Sequence, residues 1–193
     1  MKKSIIMILL ISFSLLLVSF TINKVEKKLI DTSKSKIEWY GAKITGKHNG
    51  TINLKSGNFI FEKNKLTGGE FVVDMKTIVC IDLNDKIELK KRLEEHLNSA
   101  DFFNVEIYPE SKFKITSIHT LAPNKYKITG DLTIKNITLP QSCEITFDAN
   151  KAHGSIIIDR TKYDMTIRSA SVFENLGNKM VYDEFELKFS FVF

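Results

Sequence analysis

Apolar and polar residues alternate with a period of two along most of the chain. In KIEWYGAKI, Ile37, Trp39 and Gly41 share one face. TINLKSGNFIF puts Ile52 and Leu54 on a face, breaks at Ser56-Gly57, and resumes with Phe59 and Phe61. GGEFVVDM aligns Phe71, Val73 and Met75, and SKFKITSI aligns Phe113 and Ile115. NKYKITGDLTI sets Tyr126, Ile128, Leu132 and Ile134 against Lys125, Lys127, Thr129, Asp131 and Thr133. SCEITF gives Cys143, Ile145 and Phe147; HGSIIIDR gives Ile156 and Ile158. The last stretch is the clearest, with Phe185, Leu187, Phe189, Phe191 and Phe193 opposite Glu184, Glu186, Lys188 and Ser190. A repeat of two is the signature of a half-buried strand. Roughly eight such strands follow one another through turns such as EKNK and APNK, with no internal repeat. Antiparallel strands with one apolar face must close on themselves or pack on another sheet. Eight suit a small barrel with room for side chains or one ligand. The expected class is therefore all-β, an eight-stranded antiparallel barrel.

Asp82–Asn98 breaks the pattern. Leu89, Leu93 and Leu97 recur every four residues, which predicts a helix with a narrow apolar stripe, and Asn84 or Asp85 is its expected N-cap. Asn98 is the expected stop, and the helix is expected to lie near one barrel end. In the following ADFFNVEIYP, Asp101 is positioned to cap a turn. Phe103, Val105 and Ile107 alternate as the start of a new strand, and Pro109 holds Tyr108 extended. Phe102 and Phe103 have two readings: a plug in the barrel end, or the entrance to a cavity.

Charge and composition narrow the function. The chain has 193 residues and a net charge of +5, which falls to +3 without Lys2 and Lys3. Basic density is confined to Lys86–Arg92, where glutamate interleaves, so there is no clustered basic face for nucleic acid. Residues 1–22 read as a signal peptide. Lys2 and Lys3 precede the uncharged run Ile5–Phe20, which as a helix would span roughly 24 Å, less than the ~30 Å hydrocarbon core. An uncleaved anchor is the alternative, since Ser19-Phe20-Thr21 is a poor cleavage triplet. Residues 23–30 read as a linker and 31–193 as one barrel domain. The expected location is the periplasm. Such a compartment permits a bridge between Cys80 and Cys143, yet both lie in apolar strand surroundings where free buried cysteine is common.

Reactive motifs are missing. There is no G-x-S-x-G elbow, Gly-rich phosphate loop, H-E-x-x-H or C-x-x-C. His48, His96, His119 and His153 stand singly, none with a second histidine at ligand spacing. No metal, cofactor or catalysis is expected. On the inward faces only Tyr126 and Cys143 titrate.

Several ordered segments resemble the YceI-like, lipocalin-like polyisoprenoid-binding proteins of bacteria. HLNSADFFNVEIYPESKF is similar to that family's H-L-x-S-x-D-F-F-D-V-x-x-Y-P-x-x-x-F, and YKITGDLTIKNITLP to its Y-x-V-x-G-x-L-T-I-x-G-V-T segment. IEWYGAKITGKHNGTINLKSG, IDRTKYDM and FENLGNKMVYDEFEL resemble the start and end of the domain. Asn104 stands where the family has an acid, and Asn136 where it has glycine. The resemblance implies an extended eight-stranded barrel holding a long isoprenoid chain, a quinone tail or polyprenyl lipid, in an apolar tunnel. No cofactor is expected; the expected state is a monomer or homodimer, with peripheral membrane contact left open. The expected wall is Trp39, Phe71, Met75, Phe102, Phe103, Phe113, Ile128, Leu132, Phe147 and Phe189. His48, His96 and Asp101 match polar motif positions and are expected to pin loops or meet a headgroup. The competing expectation is a filled barrel serving as an interaction or stress-response module. An outer-membrane barrel is a further rival, but the chain has one Trp and five Tyr and short connections, too little for aromatic girdles and long outer loops.

Overall fold

The computed structural model describes residues 24–193; the expected signal segment lies outside them. Among the described residues are nine strands and one α-helix. The strands are β1 (Val25–Leu29), β2 (Lys36–Lys43), β3 (Gly46–Glu62), β4 (Lys65–Cys80), β5 (Glu110–Ala122), β6 (Lys125–Ile134), β7 (Ile137–Asp148), β8 (Lys151–Asp159) and β9 (Glu184–Val192), and α1 is Ile87–Asn98. All pairings are antiparallel. The order β3-β2-β9-β8-β7-β6-β5-β4 returns to β3, so eight strands close a barrel. Closure removes the sheet edges that would otherwise invite association.

β1 is an addition to the expected plan. Residues 23–30, read as a linker, contain a strand that pairs with β3 from Val25↔Glu62 to Leu29↔Asn58, ahead of the β2 pairing Ile37↔Ile52 on the same edge. VEKKL lacks apolar alternation because Val25 and Leu29 both face solvent. The strand is held by backbone pairing and by Lys28, whose ammonium lies 5.0 Å from the Phe61 ring centroid and 5.1 Å from that of Phe193.

The hairpins are set by residues that accept left-handed backbone. Lys63-Asn64 and Lys135-Asn136 all have φ between 49° and 63°, the double left-handed step of a two-residue turn that follows sheet twist. Asn136 thus does the conformational work of the glycine it replaces.

α1 begins later than expected. Its N-cap is Lys86, with no side-chain cap bond, so neither Asn84 nor Asp85 fills that position. Asn84 Oδ1 accepts from Lys90 Nζ at 2.8 Å. The helix is fastened to the barrel by Glu94, whose carboxylate accepts the Cys80 N–H at 2.8 Å. Leu93 and Leu97 face the barrel interior, while Leu89 stays exposed.

The strand expected from Phe103 starts only at Glu110. Asn104 adopts φ 49° and reverses the chain, and its N–H donates to Ser99 O at 2.8 Å. Val105 N–H donates to Asn98 O, closing a compact double turn. Phe102 and Val105 are buried and Ile107 is 66% exposed, an arrangement set by the turn and not by strand alternation.

Strand directions put two different cores at the two ends. The β3–β4, β5–β6 and β7–β8 turns gather at the end far from α1. There Phe59 is fully buried, with ring centroids 5.2 Å from Phe71, 4.9 Å from Phe147 and 5.6 Å from Phe193. This packed aromatic cluster plugs that end. The α1 end is built differently.

Candidate functional site

From the plug toward α1 the barrel is hollow. An apolar cavity of about 310 Å³ runs along its axis and is partly open. Aliphatic and aromatic side chains pointing inward from the strands form its wall. Trp39, Phe71, Met75, Phe102, Phe103, Phe113, Ile128, Leu132 and Phe189 all line it. Phe147 does not. It lies in the aromatic plug, against Phe59, Phe61, Tyr126 and Phe193. Strand alternation assigns Phe147 to the inside correctly but carries no information on height along the barrel axis.

The polar atoms inside this wall are neutralised. Trp39 Nε1–H donates to Val79 O at 3.2 Å, and Ser111 Oγ–H donates to Met75 Sδ at 3.0 Å. Cys143 lines the cavity, and burial pushes its thiol up to about 12, so it stays protonated and uncharged. Such a lining suits an apolar guest.

At the α1 end the wall turns polar. His48, His96, Lys43, Arg160, Arg168, Tyr182 and Glu184 surround the cavity there. His96 sets its ring edge-on to Phe102, centroids 5.0 Å apart. Phe103 in turn meets Phe185 at 6.2 Å. The Phe pair therefore sits in the wall at the α1 end, while the plug at the other end is made by different phenylalanines. Asp101 is exposed and stands outside the lining; its carboxylate finds no hydrogen-bond partner among the described residues.

Arg160 was not anticipated. It is 2% exposed, and its nitrogens donate to the carbonyls of Tyr182 at 3.0 Å, Val181 at 3.0 Å and Met165. A fourth contact reaches Asp183 Oδ1 at 3.3 Å. Burial lowers the Arg160 pKa, but the Asp183 and Asp159 charges oppose this and arginine remains a cation at any ordinary pH. Burial also raises Asp183, yet hydrogen bonds from Ser169 and Ser171 and the Arg160 charge outweigh it and leave its pKa below the usual value. Arg160 is thus a staple for the 160–183 segment, with all three guanidinium nitrogens engaged. Arg168 is exposed, has left-handed backbone at φ 51°, and lines the rim. Both lie in or beside IDRTKYDM, a segment whose arginine was legible in the sequence as motif but not as a role.

His48 pins two elements. Its Nδ1 is 2.9 Å from Asp82 Oδ2, while Asp82 Oδ1 accepts the Asn49 N–H at 2.9 Å and the Cys80 thiol at 3.2 Å. Burial raises Asp82, but these hydrogen bonds together hold its pKa below the usual value. Burial, with the Asp82 carboxylate adding to it, pushes the Cys80 thiol up to about 11. The ligand-type atoms of His48, Cys80 and Asp82 lie within 4.8 Å of one another. Sequence spacing hid this group, because β3 and the end of β4 meet only through the sheet.

The comparisons follow the same geometry. The sequence model of the YceI-like domain matches residues 29–193. Among curated proteins, a UPF0312 protein of Pseudomonas putida (strain W619) is 31% identical over 99 residues, 51% of this chain and 48% of that protein. A UPF0312 protein of Photorhabdus laumondii is 35% identical over 91 residues, 47% of this chain and 44% of that one. The chain thus spans about half the length of the curated relatives it matches. Among solved structures, BcnA of Burkholderia cenocepacia superposes with a TM-score of 0.63 at 22% identity, covering 85% of this chain and 99% of that one. A polyisoprenoid-binding domain of Saccharophagus degradans implicated in plant cell wall breakdown gives 0.57 at 11% identity, covering 87% and 97%. These likenesses establish the fold.

Proposed function

The chain belongs to the YceI-like domain family, and on that premise we propose that it binds an isoprenoid lipid, a quinone tail or polyprenyl chain, without catalysis, for transport or storage in the cell envelope. The observation that carries this is the shape of the barrel: plugged by phenylalanines at one end, hollow and apolar through the middle, and polar at the α1 end. A filled-barrel module has no use for such a void, since an empty cavity costs stability in proportion to its volume.

The energetics favour a prenyl tail. Each buried CH₂-sized group contributes ≈ 0.8 kcal/mol, so one five-carbon unit contributes about 3–4 kcal/mol when withdrawn from water. The tail lies against Trp39, Phe71, Ile128 and Phe189, and branched methyls fill the gaps between rings. The headgroup rests at the polar rim, near His96 and Arg168. Delivery of such a cargo requires peripheral contact with a membrane, and the N-terminal apolar run fits export to the periplasm. The polyisoprenoid-binding character of the Saccharophagus degradans domain supports the same ligand class.

Trp39 provides the test. It is the chain's single tryptophan and lines the cavity. Titrating delipidated protein with a long-tailed quinone should quench its fluorescence in a saturable, one-to-one manner, because a quinone within van der Waals reach accepts the excited electron. Quenching that rises linearly with quinone, as for free indole, would overturn the proposal.

A further inference from the structure

At the α1 end, where His48 lines the cavity and Cys80 and Asp82 stand behind it, three residues from separate stretches converge. His48 comes from the start of β3, Cys80 from the last position of β4, and Asp82 from the turn that follows. The sheet sets their approach: Gly50 pairs with Cys80, and Ile81 N–H donates to Asn49 O at 3.0 Å. Nothing in the proposed lipid function uses Cys80 or Asp82.

We infer that His48 Nδ1, Cys80 Sγ and an Asp82 carboxylate oxygen form a three-ligand site for zinc or another borderline divalent transition metal, with a fourth position for water. The donor set decides the metal class. Imidazole nitrogen plus thiolate sulfur selects zinc-like ions, whereas calcium and magnesium require oxygen ligands. A thiolate and a carboxylate also balance the 2+ charge, with the imidazole neutral. On binding, the ion takes the place of the Cys80 thiol proton, which leaves to water.

The geometry needs little change. Tetrahedral bonds of about 2.0–2.1 Å to nitrogen and oxygen and about 2.3 Å to sulfur put nitrogen about 3.3 Å from oxygen and sulfur about 3.6 Å from oxygen. The present separations are 2.9 Å for His48 Nδ1 to Asp82 Oδ2 and 3.2 Å for Cys80 Sγ to Asp82 Oδ1. These contacts are to the two different oxygens of the carboxylate, and one ligand-type atom from each of the three residues lies within 4.8 Å of the others, so side-chain rotation brings a single Asp82 oxygen between nitrogen and sulfur. The Asn49 N–H on Asp82 Oδ1 is the outer partner that fixes a ligating carboxylate. The His48 and Asp82 side chains are 28% and 27% exposed, while Cys80 is buried beneath them, so an ion enters from solvent and settles onto the sulfur. A bound ion would tie the β2–β3 hairpin to the end of β4, just before α1. His48 also lines the cavity, so the ion would stiffen the rim of the mouth.

Cobalt(II) is the probe, added to the metal-stripped, lipid-free protein, so that the outcome does not depend on whether a lipid binds. One equivalent of Co²⁺ should produce a thiolate-to-cobalt charge-transfer band in the near ultraviolet, and Zn²⁺ should displace it. Cys80→Ser should abolish the band, and His48→Gln and Asp82→Asn should weaken cobalt binding at least tenfold. His153→Ala, which removes an exposed histidine elsewhere, should leave it unchanged. Far-ultraviolet circular dichroism reports whether each variant is folded. Asp82→Asn preserves the shape of the side chain, so it decides the matter if Cys80→Ser fails to fold. Absence of a charge-transfer band at stoichiometric cobalt, or equal cobalt affinity in folded Asp82→Asn, would overturn the site.

Discussion

The guanidinium carbon of Arg160 lies 5.6 Å from the centroid of the Phe102 ring. That contact joins the segment after β8 to the aromatic pair after α1, the two stretches that frame the mouth of the barrel. Arg160 meanwhile holds three backbone carbonyls and Asp183. Replacing it with methionine keeps bulk but strands those carbonyls and an acid. Breaking a buried pair of this kind costs about 3–5 kcal/mol. Arg160→Lys should recover less than half of that loss, because one ammonium cannot serve partners spread around a planar fork. Urea unfolding of both variants measures it.

Plug and cavity should separate by mutation. Phe147→Ala opens a void in the aromatic cluster and should cost about 3–5 kcal/mol, while leaving Trp39 quenching by a long-tailed quinone intact in the folded fraction. Ile128→Trp should do the reverse. It fills the tunnel beside a 2% exposed position, costs about 1–3 kcal/mol from overpacking, and blocks the guest. A short prenyl analogue should tolerate the Ile128 change better than a long one. Because this variant adds a second tryptophan, binding is read by calorimetry.

Acid should loosen the 160–183 segment. The Asp183 pKa is lower folded than its ordinary 3.8. A depressed carboxylate adds stability at pH values above 3.8 and loses it as pH falls through the folded value. The unfolding free energy of the wild type should therefore fall more steeply than that of Asp183→Asn as pH drops from about 5 through 3.8 and below. Equal slopes would mean that the Ser169, Ser171 and Arg160 contacts together do not favour the Asp183 carboxylate in solution.

Both cysteines are free and buried, one at the end of β4 and the other on β7, strands that are not neighbours. Their thiols are pushed up to about 11 and about 12 by burial. Since the thiolate is the reactive form, a disulfide exchange reagent at pH 8 should titrate no thiol in the native protein and two on unfolding, without reductant. A count of zero after unfolding would indicate a bridge.

Much of the barrel was legible because each half-buried strand writes its face into the sequence at period two. What alternation could not give has identifiable causes. β1 was hidden because Lys28, not an apolar residue, covers the rings of Phe61 and Phe193. The strand expected at Phe103–Ile107 was a false period, broken by the left-handed Asn104. Facing inward put Phe147 in the right layer but at the wrong height. The role of Arg160 escaped notice because a buried arginine is identified by the carbonyls it meets, and those of Val181 and Tyr182 lie 21 and 22 residues along the chain. The His48–Cys80–Asp82 group escaped for the same reason, since its first two members are brought together only by β3–β4 register.

The most direct measurement is mass spectrometry of an organic extract from natively purified protein lacking the N-terminal segment. The account predicts a stoichiometric isoprenoid, retained by wild type and lost in Ile128→Trp. An extract without isoprenoid, and still without it after incubation with quinones and polyprenyl lipids, would contradict it.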